Sequence, residues 1–571
     1  MRKITKNLAL YALMAVCFGV FCYMGWRYVD VEFLALTNGD AMPQFLQLQK
    51  MYQGLTTLNI KQFFAFEFYN YGFFYYMLNL LAALPFIITE NYSLQIYAPR
   101  VLNALFSIAN IWLLYRIARI YLSALYSMLI VGIFVAMGGF WHLGYVFKPD
   151  VFQAFFVLAC AYYLLRDNFS FGKHYTLAWI ALGLGIGLAK FQAILFIPMM
   201  YAYICLPALS MQAGQILLAL KRCALGTLGI IALWILSNPY LLHKSGFNAW
   251  LSMFEGNMRS NATNHGAYTQ VPLSEKLSQV IELYYFEIVV FIVLLAAGLY
   301  CCIIALQWLI WQSPRALDSS KQDSMQQPYT QAESICIAFA PLAVGFFISL
   351  VYLLLFVNKA WEAYYFSTMA LGCVLFIPLA LLVAKTSKGG GQHTKRKKLY
   401  QTTALSLLLA LQILGGLMSS TYKQVFTKYP ISLDSAHALA QELTDLARPF
   451  ITDPNTTIFS DNVNFYYLSL GLKPTQIYQI FGLPNAEGFV YEQWSKKPHS
   501  LPFIPKDFII LSQNWWLSSY EKRSHTDEQT KEVLEKLFSG QYPYKQVAKS
   551  EHFIIFANTD EQHSNITKPK E

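Results

Sequence analysis

The sequence predicts a polytopic α-helical membrane protein of about eleven transmembrane helices, followed at its C-terminal end by an extracytoplasmic α/β domain. Three observations predict it. Of 571 residues only 13% are charged, against 56% hydrophobic and a mean hydropathy of +0.38. A soluble domain carries about 25% charged residues, so this chain cannot clothe a water-facing surface. Up to residue 419 the apolar residues come in runs of spanning length separated by short polar loops. Beyond that point the composition is that of an ordinary soluble domain, with 15 Lys/Arg and 17 Asp/Glu in residues 420–571. Disorder, collagen, a disulfide-stapled module and a coiled coil are excluded on the same grounds.

Taken in order, runs of about 17–25 residues or slightly fewer lie near 8–28, 101–118, 121–139, 151–165, 175–189, 191–208, 223–238, 280–308, 334–357, 363–384 and 400–418. The first stays apolar through Met24-Gly25-Trp26 with no A-x-A cleavage pattern, which makes it an anchor, not a signal peptide. Arg2, Lys3 and Lys6 place the N-terminus in the cytoplasm. Alternation then puts Arg116/Arg119, Arg166/Lys173, Lys221/Arg222, Arg315/Lys321 and the cluster from Lys385 to Lys398 inside as well. Eleven crossings leave the C-terminal domain outside, as in a bacterial inner-membrane protein with a periplasmic domain. The segment Gly72 to Ile88 is left over. A full crossing there would invert every later loop, so it reads as a re-entrant or interfacial helix on the outer face.

The division is therefore a membrane part, 1–419, and an outer domain, 420–571. The domain has a net charge of −2, and the membrane part carries more than the whole excess of +10. That excess falls on the cytoplasmic loops. It is a mark of topology, and it implies no nucleic-acid partner. All nine cysteines lie in apolar runs, which gives neither a disulfide framework nor a C-x-x-C metal pair. A divalent metal is the one cofactor the sequence leaves open.

Two outer loops, 29–100 and 239–279, are too long to be simple connections, so chemistry is expected on the outer face. The first contains an amphipathic stretch from Ala41 to Gly54, preceded by Asn38-Gly39-Asp40 as a helix start; the second contains Trp250, Glu255, Arg259 and His265. In the outer domain a helix from Ser432–Asp434 carries Leu439, Leu443 and Leu446 on one face. Strands are expected at Ile458-Phe459, Gln476–Ile480 and Phe508–Leu511, a helix at His525–Phe538 and a hairpin over Tyr544–Phe556. The domain lacks a glycine-rich phosphate loop and a G-x-S-x-G motif, so it is not expected to be the catalytic unit.

Two carboxylates stand at the outer boundary, each opening a helix. Asp40 heads the amphipathic stretch, and Asp150 follows Phe147-Lys148-Pro149 at the fourth span. Each has two readings, a helix N-cap or a catalytic base. Asp30 and Glu32 are rivals better placed as solvated groups. Arg100, Lys148, Lys190 and Lys359 lie at outer helix ends, where they either snorkel to headgroups or meet a lipid phosphate. Arg259 and His265 sit in the second loop. The aromatic run Phe63–Tyr76, with Tyr71 in it, suits an interfacial belt or stacking against a sugar ring or an isoprenoid. The spans are nearly free of central charges and show no internal repeat, which argues against a transporter or flippase for lipid-linked sugars; a glycan polymerase or ligase, which also uses outer loops, is the enzyme alternative.

The order of features carries a resemblance. Gly39-Asp40-Ala41 is followed by Tyr69-Asn70-Tyr71-Gly72-Phe73-Phe74-Tyr75-Tyr76 and by Pro99-Arg100-Val101-Leu102-Asn103. Lys148-Pro149-Asp150, Gly183-Leu184-Gly185-Ile186-Gly187-Leu188-Ala189-Lys190 and Asn238-Pro239-Tyr240 complete the series. Together these resemble the GT-C superfamily, in its branch of protein mannosyltransferase-like and lipid A aminoarabinose transferase-like enzymes, over about residues 8–385. The resemblance implies a membrane glycosyltransferase of the cell envelope using a polyprenyl-phosphate-linked sugar donor and a lipid, glycan or protein acceptor, with inversion. It implies Asp40 as catalytic base or acceptor-positioning group, Asp150 as the second acidic position, Arg100 as the arginine before the second full span, and Lys148, Lys190, Arg259 and Lys359 around the donor phosphate. Two motifs depart from the pattern. The first-loop His-Pro-Pro is replaced around Tyr69–Gly72, and the late Arg-Tyr motif reads Trp361-Glu362-Ala363-Tyr364-Tyr365.

Overall fold

The computed structural model describes residues 7–27, 29, 41–64, 71–209, 213–263, 270–312, 331–359, 361–385, 393–418, 433–453, 455–460, 477–479, 507–512 and 536–559. In chain order the first helices are α1 (Leu8–Arg27), α2 (Ala41–Thr56), α3 (Ile60–Phe64), α4 (Phe73–Ile88), α5 (Tyr92–Tyr121), α6 (Ala124–Val135) and α7 (Gly138–Leu143). They are followed by α8 (Asp150–Asp167), α9 (Lys173–Leu184), α10 (Ile197–Leu209), α11 (Ala213–Ser237), α12 (Lys244–Thr263), α13 (Leu273–Ser278) and α14 (Ile288–Gln312). The rest are α15 (Gln331–Leu355), α16 (Phe366–Val374), α17 (Phe376–Lys385), α18 (His393–Met418) and α19 (Leu433–Ala447).

Among the described residues eight helical segments are long and apolar enough to cross a membrane. They coincide with eight of the eleven expected runs. The other three runs form shorter or more polar helices. Run 121–139 is the 12-residue α6, and run 151–165 is α8, whose ends carry Asp150, Arg166 and Asp167. Run 175–189 starts as α9 and changes to a π-helical turn over Gly185–Ala189. The leftover segment is α4. Its 16 residues rise about 24 Å, short of the about 30 Å hydrocarbon core.

The polar residues of α5 explain how irregular backbone survives inside the bundle. Arg100, Asn103, Ser107 and Asn110 recur at spacings of three and four, so they share one face, and all are buried. They serve the carbonyls of neighbouring segments. Arg100 Nη1 donates to Gly25 O (2.8 Å), Ser107 Oγ to Gly144 O (2.7 Å) and Asn110 Nδ2 to Val151 O (2.9 Å), and Asn103 Nδ2 donates to Val146 O. Backbone away from water must be satisfied within the protein. This stripe therefore holds the non-helical stretch 144–149 that presents Lys148 and Asp150.

The C-terminal strands β1 (Ile458–Ser460), β2 (Ile477–Gln479), β3 (Phe508–Ser512), β4 (Tyr544–Lys549) and β5 (Phe553–Asn558) form one sheet in the order β2-β1-β3-β5-β4. The β2, β1 and β3 strands run parallel, while β5 pairs antiparallel with β3 and β4. All of β5 is buried, as its unbroken run Phe553-Ile554-Ile555-Phe556-Ala557 requires of a central strand. The expected helix over 525–538 lies mostly outside the described residues. Leu443 of α19 and Ile458, Phe508 and Ile555 of the sheet share a buried cluster with Phe45 of α2 and Ile96 of α5. The sheet thus rests on the end of the bundle where α5 begins, the end that also presents Asp150.

Candidate active site

The site begins with a helix that the sequence does not let continue. Glycines at 183, 185 and 187 weaken α9. It relaxes into the π-helical turn and leaves Lys190 extended (φ −146°, ψ 127°) before a 3₁₀ turn over Phe191–Phe196. The freed backbone is taken up by both long loops. Gly72 N–H donates to Ala189 O (2.9 Å), and Asn238 Nδ2 donates to Gly187 O (3.0 Å) while its Oδ1 accepts from Phe73 N–H (2.9 Å). Gly72 is required by this approach, because a Cβ there would collide with the Gly187 carbonyl and the Leu188 backbone. Three separated sequence motifs are thereby knotted around Lys190.

Asp150 is the first residue of α8, and Pro149 is its N-cap without any side-chain capping bond. The capping reading therefore fails for Asp150. Its carboxylate is 1% exposed, and Oδ1 accepts from Lys190 Nζ at 2.8 Å. The Lys190 ammonium also lies 4.7 Å from the Tyr364 ring centroid and 5.8 Å from that of Tyr71. Next to Tyr364, at 5.9 Å, stands Trp361, whose ring is faced by Lys148 Nζ (5.5 Å) and Lys359 Nζ (5.4 Å). Three buried lysines thus sit against aromatic faces beside a single buried aspartate, an arrangement suited to an anion with an apolar or ring-shaped neighbour.

The scaffold around them is closely bonded. Gln153 of α8 donates to Lys190 O (3.0 Å) and accepts from Ser367 Oγ of α16 (2.8 Å). Gln192 Nε2 donates to Tyr364 O (3.0 Å). Behind Trp361, Glu362 Oε1 meets His142 Nε2 at 3.2 Å, and Tyr285 OH donates to the Glu362 carbonyl.

Of the residues singled out in the sequence, Tyr71, Lys148, Asp150, Lys190 and Lys359 come together here. Arg259 lies exposed on α12, two residues before Asn261, whose carbonyl accepts from Asn358 N–H (2.7 Å), so that helix end is tied to the segment bearing Lys359. Arg100 is 1% exposed and joins α5 to α1 through a hydrogen bond to Gly25 O. Asp40 and His265 lie outside the described residues, as do Asp30 and Glu32. The helix start read from Asn38-Gly39-Asp40 agrees with α2 beginning at Ala41. Among the described residues no three His, Cys, Asp or Glu side chains gather as a metal site.

Sequence reasoning missed Trp361, Tyr364, Glu362, His142 and Gln153 as members of the site. The one usable signal for them was the segment Trp361–Tyr365, standing where a late Arg-Tyr motif was expected.

No family model and no curated protein matches the sequence. Solved structures do. ArnT from Cupriavidus metallidurans bound to undecaprenyl phosphate is similar over 99% of this chain and 100% of its own, with a TM-score of 0.53 and 9% identity. Its apo state gives a TM-score of 0.49 at 11% identity, covering 100% of both chains. The oligosaccharyltransferase AglB from Archaeoglobus fulgidus, in complex with an inhibitory peptide and a dolichol-phosphate, gives 0.45 at 11% identity, over 98% of this chain and 75% of its own. At 9% identity the likeness to undecaprenyl phosphate-bound ArnT is one of fold, and it runs the length of both chains. The chain therefore shares the fold of that ArnT structure, with a small C-terminal sheet.

Proposed function

We propose that this chain is a membrane glycosyltransferase that moves a sugar from a polyprenyl-phosphate-linked donor to a lipid, glycan or protein acceptor on the outer face. One observation carries the reading. Lys148, Lys190 and Lys359 converge with Asp150 and three aromatic rings at one end of a bundle, and that bundle has the fold of a protein captured with undecaprenyl phosphate.

The roles follow from the chemistry. The acceptor hydroxyl attacks the anomeric carbon, and its proton passes to the Asp40 carboxylate. The bond from that carbon to the phosphate oxygen breaks, and its electron pair stays on the leaving lipid phosphate. Lysines at that oxygen stabilise the charge as it develops. A single displacement inverts the anomeric centre. Asp150 holds the Lys190 ammonium toward the phosphate, Arg259 and His265 of the second loop contribute to substrate binding, and Tyr71 gives the sugar or the first isoprene unit an aromatic face. The C-terminal domain covers the same end of the bundle from outside the membrane.

Two measurements test this. Purified protein is expected to bind undecaprenyl phosphate, and Asp40→Asn is expected to abolish transfer while insertion and expression persist. Mass spectrometry of envelope lipids and glycans with and without the protein identifies the acceptor that loses its sugar. An unchanged product profile with donor trapped on the inner leaflet refutes transfer and favours a flippase.

A further inference from the structure

Two buried polar atoms beside the Asp150–Lys190 pair have no hydrogen-bond partner among the described residues: the Tyr75 hydroxyl and Asp150 Oδ2. Neither residue is peripheral, Tyr75 being 3% exposed and Asp150 1%. Tyr75 comes from α4, and its ring lies 5.8 Å from both Phe147 and Phe152. Those two rings bracket Lys148-Pro149-Asp150, which brings Tyr75 within electrostatic reach of the Asp150 carboxylate.

A buried polar atom left unpaired carries the full desolvation penalty of that group, and folded proteins leave few of them. Packing alone does not call for the hydroxyl. Phenylalanine precedes it at positions 73 and 74, and a phenyl ring would fill the gap between Phe147 and Phe152 as well. One unpaired donor and one unpaired acceptor, both buried on the same side of the bundle and within electrostatic reach of each other, are instead the complement of a group that both accepts and donates.

We propose that Tyr75 and the free oxygen of Asp150 form a subsite for one hydroxyl of the transferred sugar. The phenol donates to the hydroxyl oxygen, and the hydroxyl donates to Asp150 Oδ2, while Oδ1 stays on Lys190. An ammonium group offers no lone pair to Tyr75, and a carboxylate offers no proton to Asp150. The pair therefore selects a neutral hydroxylated sugar over one that presents an amino or acid group at that position. Sites built to bond a hydroxyl reject analogues without it strongly, because their own polar groups are then left unpaired. The inference rests on the proposed donor class and deepens it.

The test uses the full-length protein in nanodiscs, with undecaprenyl phosphate and with undecaprenyl-phosphate-linked glucose, mannose and galactose as probes. Tyr75→Phe is expected to weaken the best-bound hexose lipid at least fivefold and to leave undecaprenyl phosphate affinity within twofold. It is also expected to leave the melting temperature of the substrate-free protein equal or higher, since a penalty has been removed. Equal loss for sugar-bearing and bare lipid, no loss for either, or a lower melting temperature overturns the subsite. So does binding of the bare lipid with none of the hexose lipids. Failure of the unaltered protein to bind undecaprenyl phosphate would instead refute the donor class itself.

Discussion

Breaking the Asp150–Lys190 pair separates what it does for stability from what it does for function. The two charged atoms are 2.8 Å apart, and the side chains are 1% and 7% exposed. At an effective dielectric of about 20 their attraction is about 6 kcal/mol, most of it offset by the desolvation both groups suffered on burial. The net worth of the pair is therefore modest, yet losing one partner leaves a lone buried charge. Lys190→Met and Asp150→Asn are each expected to destabilise the protein by about 3–5 kcal/mol. The double variant removes both charges and should cost no more than either single change, a coupling of about 3 kcal/mol or more.

Binding should not follow the same pattern. Without the Lys190 ammonium a charge-assisted bond to the lipid phosphate is lost, worth about 1.5–3 kcal/mol. Affinity for undecaprenyl phosphate is then expected to fall at least about tenfold in both Lys190→Met and the double variant. Unfolding by SDS titration reads the first quantity, and lipid binding in nanodiscs reads the second. Strictly additive destabilisation would refute the energetic pairing. Recovery of lipid affinity in the stable double variant would refute Lys190 as a phosphate ligand.

Three further outcomes follow. Gly72→Ala places a methyl group against the Gly187 carbonyl and the Leu188 backbone, which cannot give way as a side chain would; a loss of about 1–3 kcal/mol in unfolding and weaker lipid binding are expected. Trp361→Leu removes the ring that faces both Lys148 and Lys359, contacts worth about 0.5–2 kcal/mol each. Lipid affinity should drop roughly tenfold, while Trp361→Phe keeps most of it. In the C-terminal domain burial pushes the Glu442 carboxyl up, but hydrogen bonds from Ser550 and His552 outweigh it and hold the carboxyl below its ordinary value. A lowered folded value gives stability that is present above the unfolded value of about 4.3 and is lost as pH falls through the folded one. Hydrogen exchange at strands β4 and β5 in the full-length protein should accelerate over that acid range, and Glu442→Gln should flatten the response.

How much of this was legible in the sequence depends on the range over which each signal acts. Spans and the C-terminal strands follow from composition and local periodicity. Hence the runs at 8–28 and 334–357 and the hairpin at 544–556 appear where expected. The carboxylate at 150 was found because Pro149 marks a helix start. Its partner was not assigned, because the Lys190 contact joins residues 40 positions apart through an unwound turn. Trp361 and Tyr364 were hidden for a similar reason, since a ring supporting a lysine looks like any interfacial aromatic. Arg100 was singled out for its position before a span, whereas its place in a buried polar stripe with Asn103, Ser107 and Asn110 became visible only through the backbone carbonyls those side chains reach.

The charge balance of the site bears on why lysines and rings are combined there. On the proposed reading the donor enters as a phosphodiester with one negative charge and leaves as a phosphate monoester, which gains most of a second charge near neutral pH. The three lysines face two carboxylates, one of which, Glu362, is engaged with His142. The extra charge appears only as the bond to the sugar breaks, so further stabilisation by fixed ammonium groups is gained in the transition state and not on binding. That difference is what accelerates a reaction. Aromatic faces suit this purpose, because a ring beside Lys190, Lys148 or Lys359 attracts the ammonium without adding the formal negative charge of a further carboxylate. A site with more aspartates would bind its lysines more firmly and have less positive field left for the leaving phosphate.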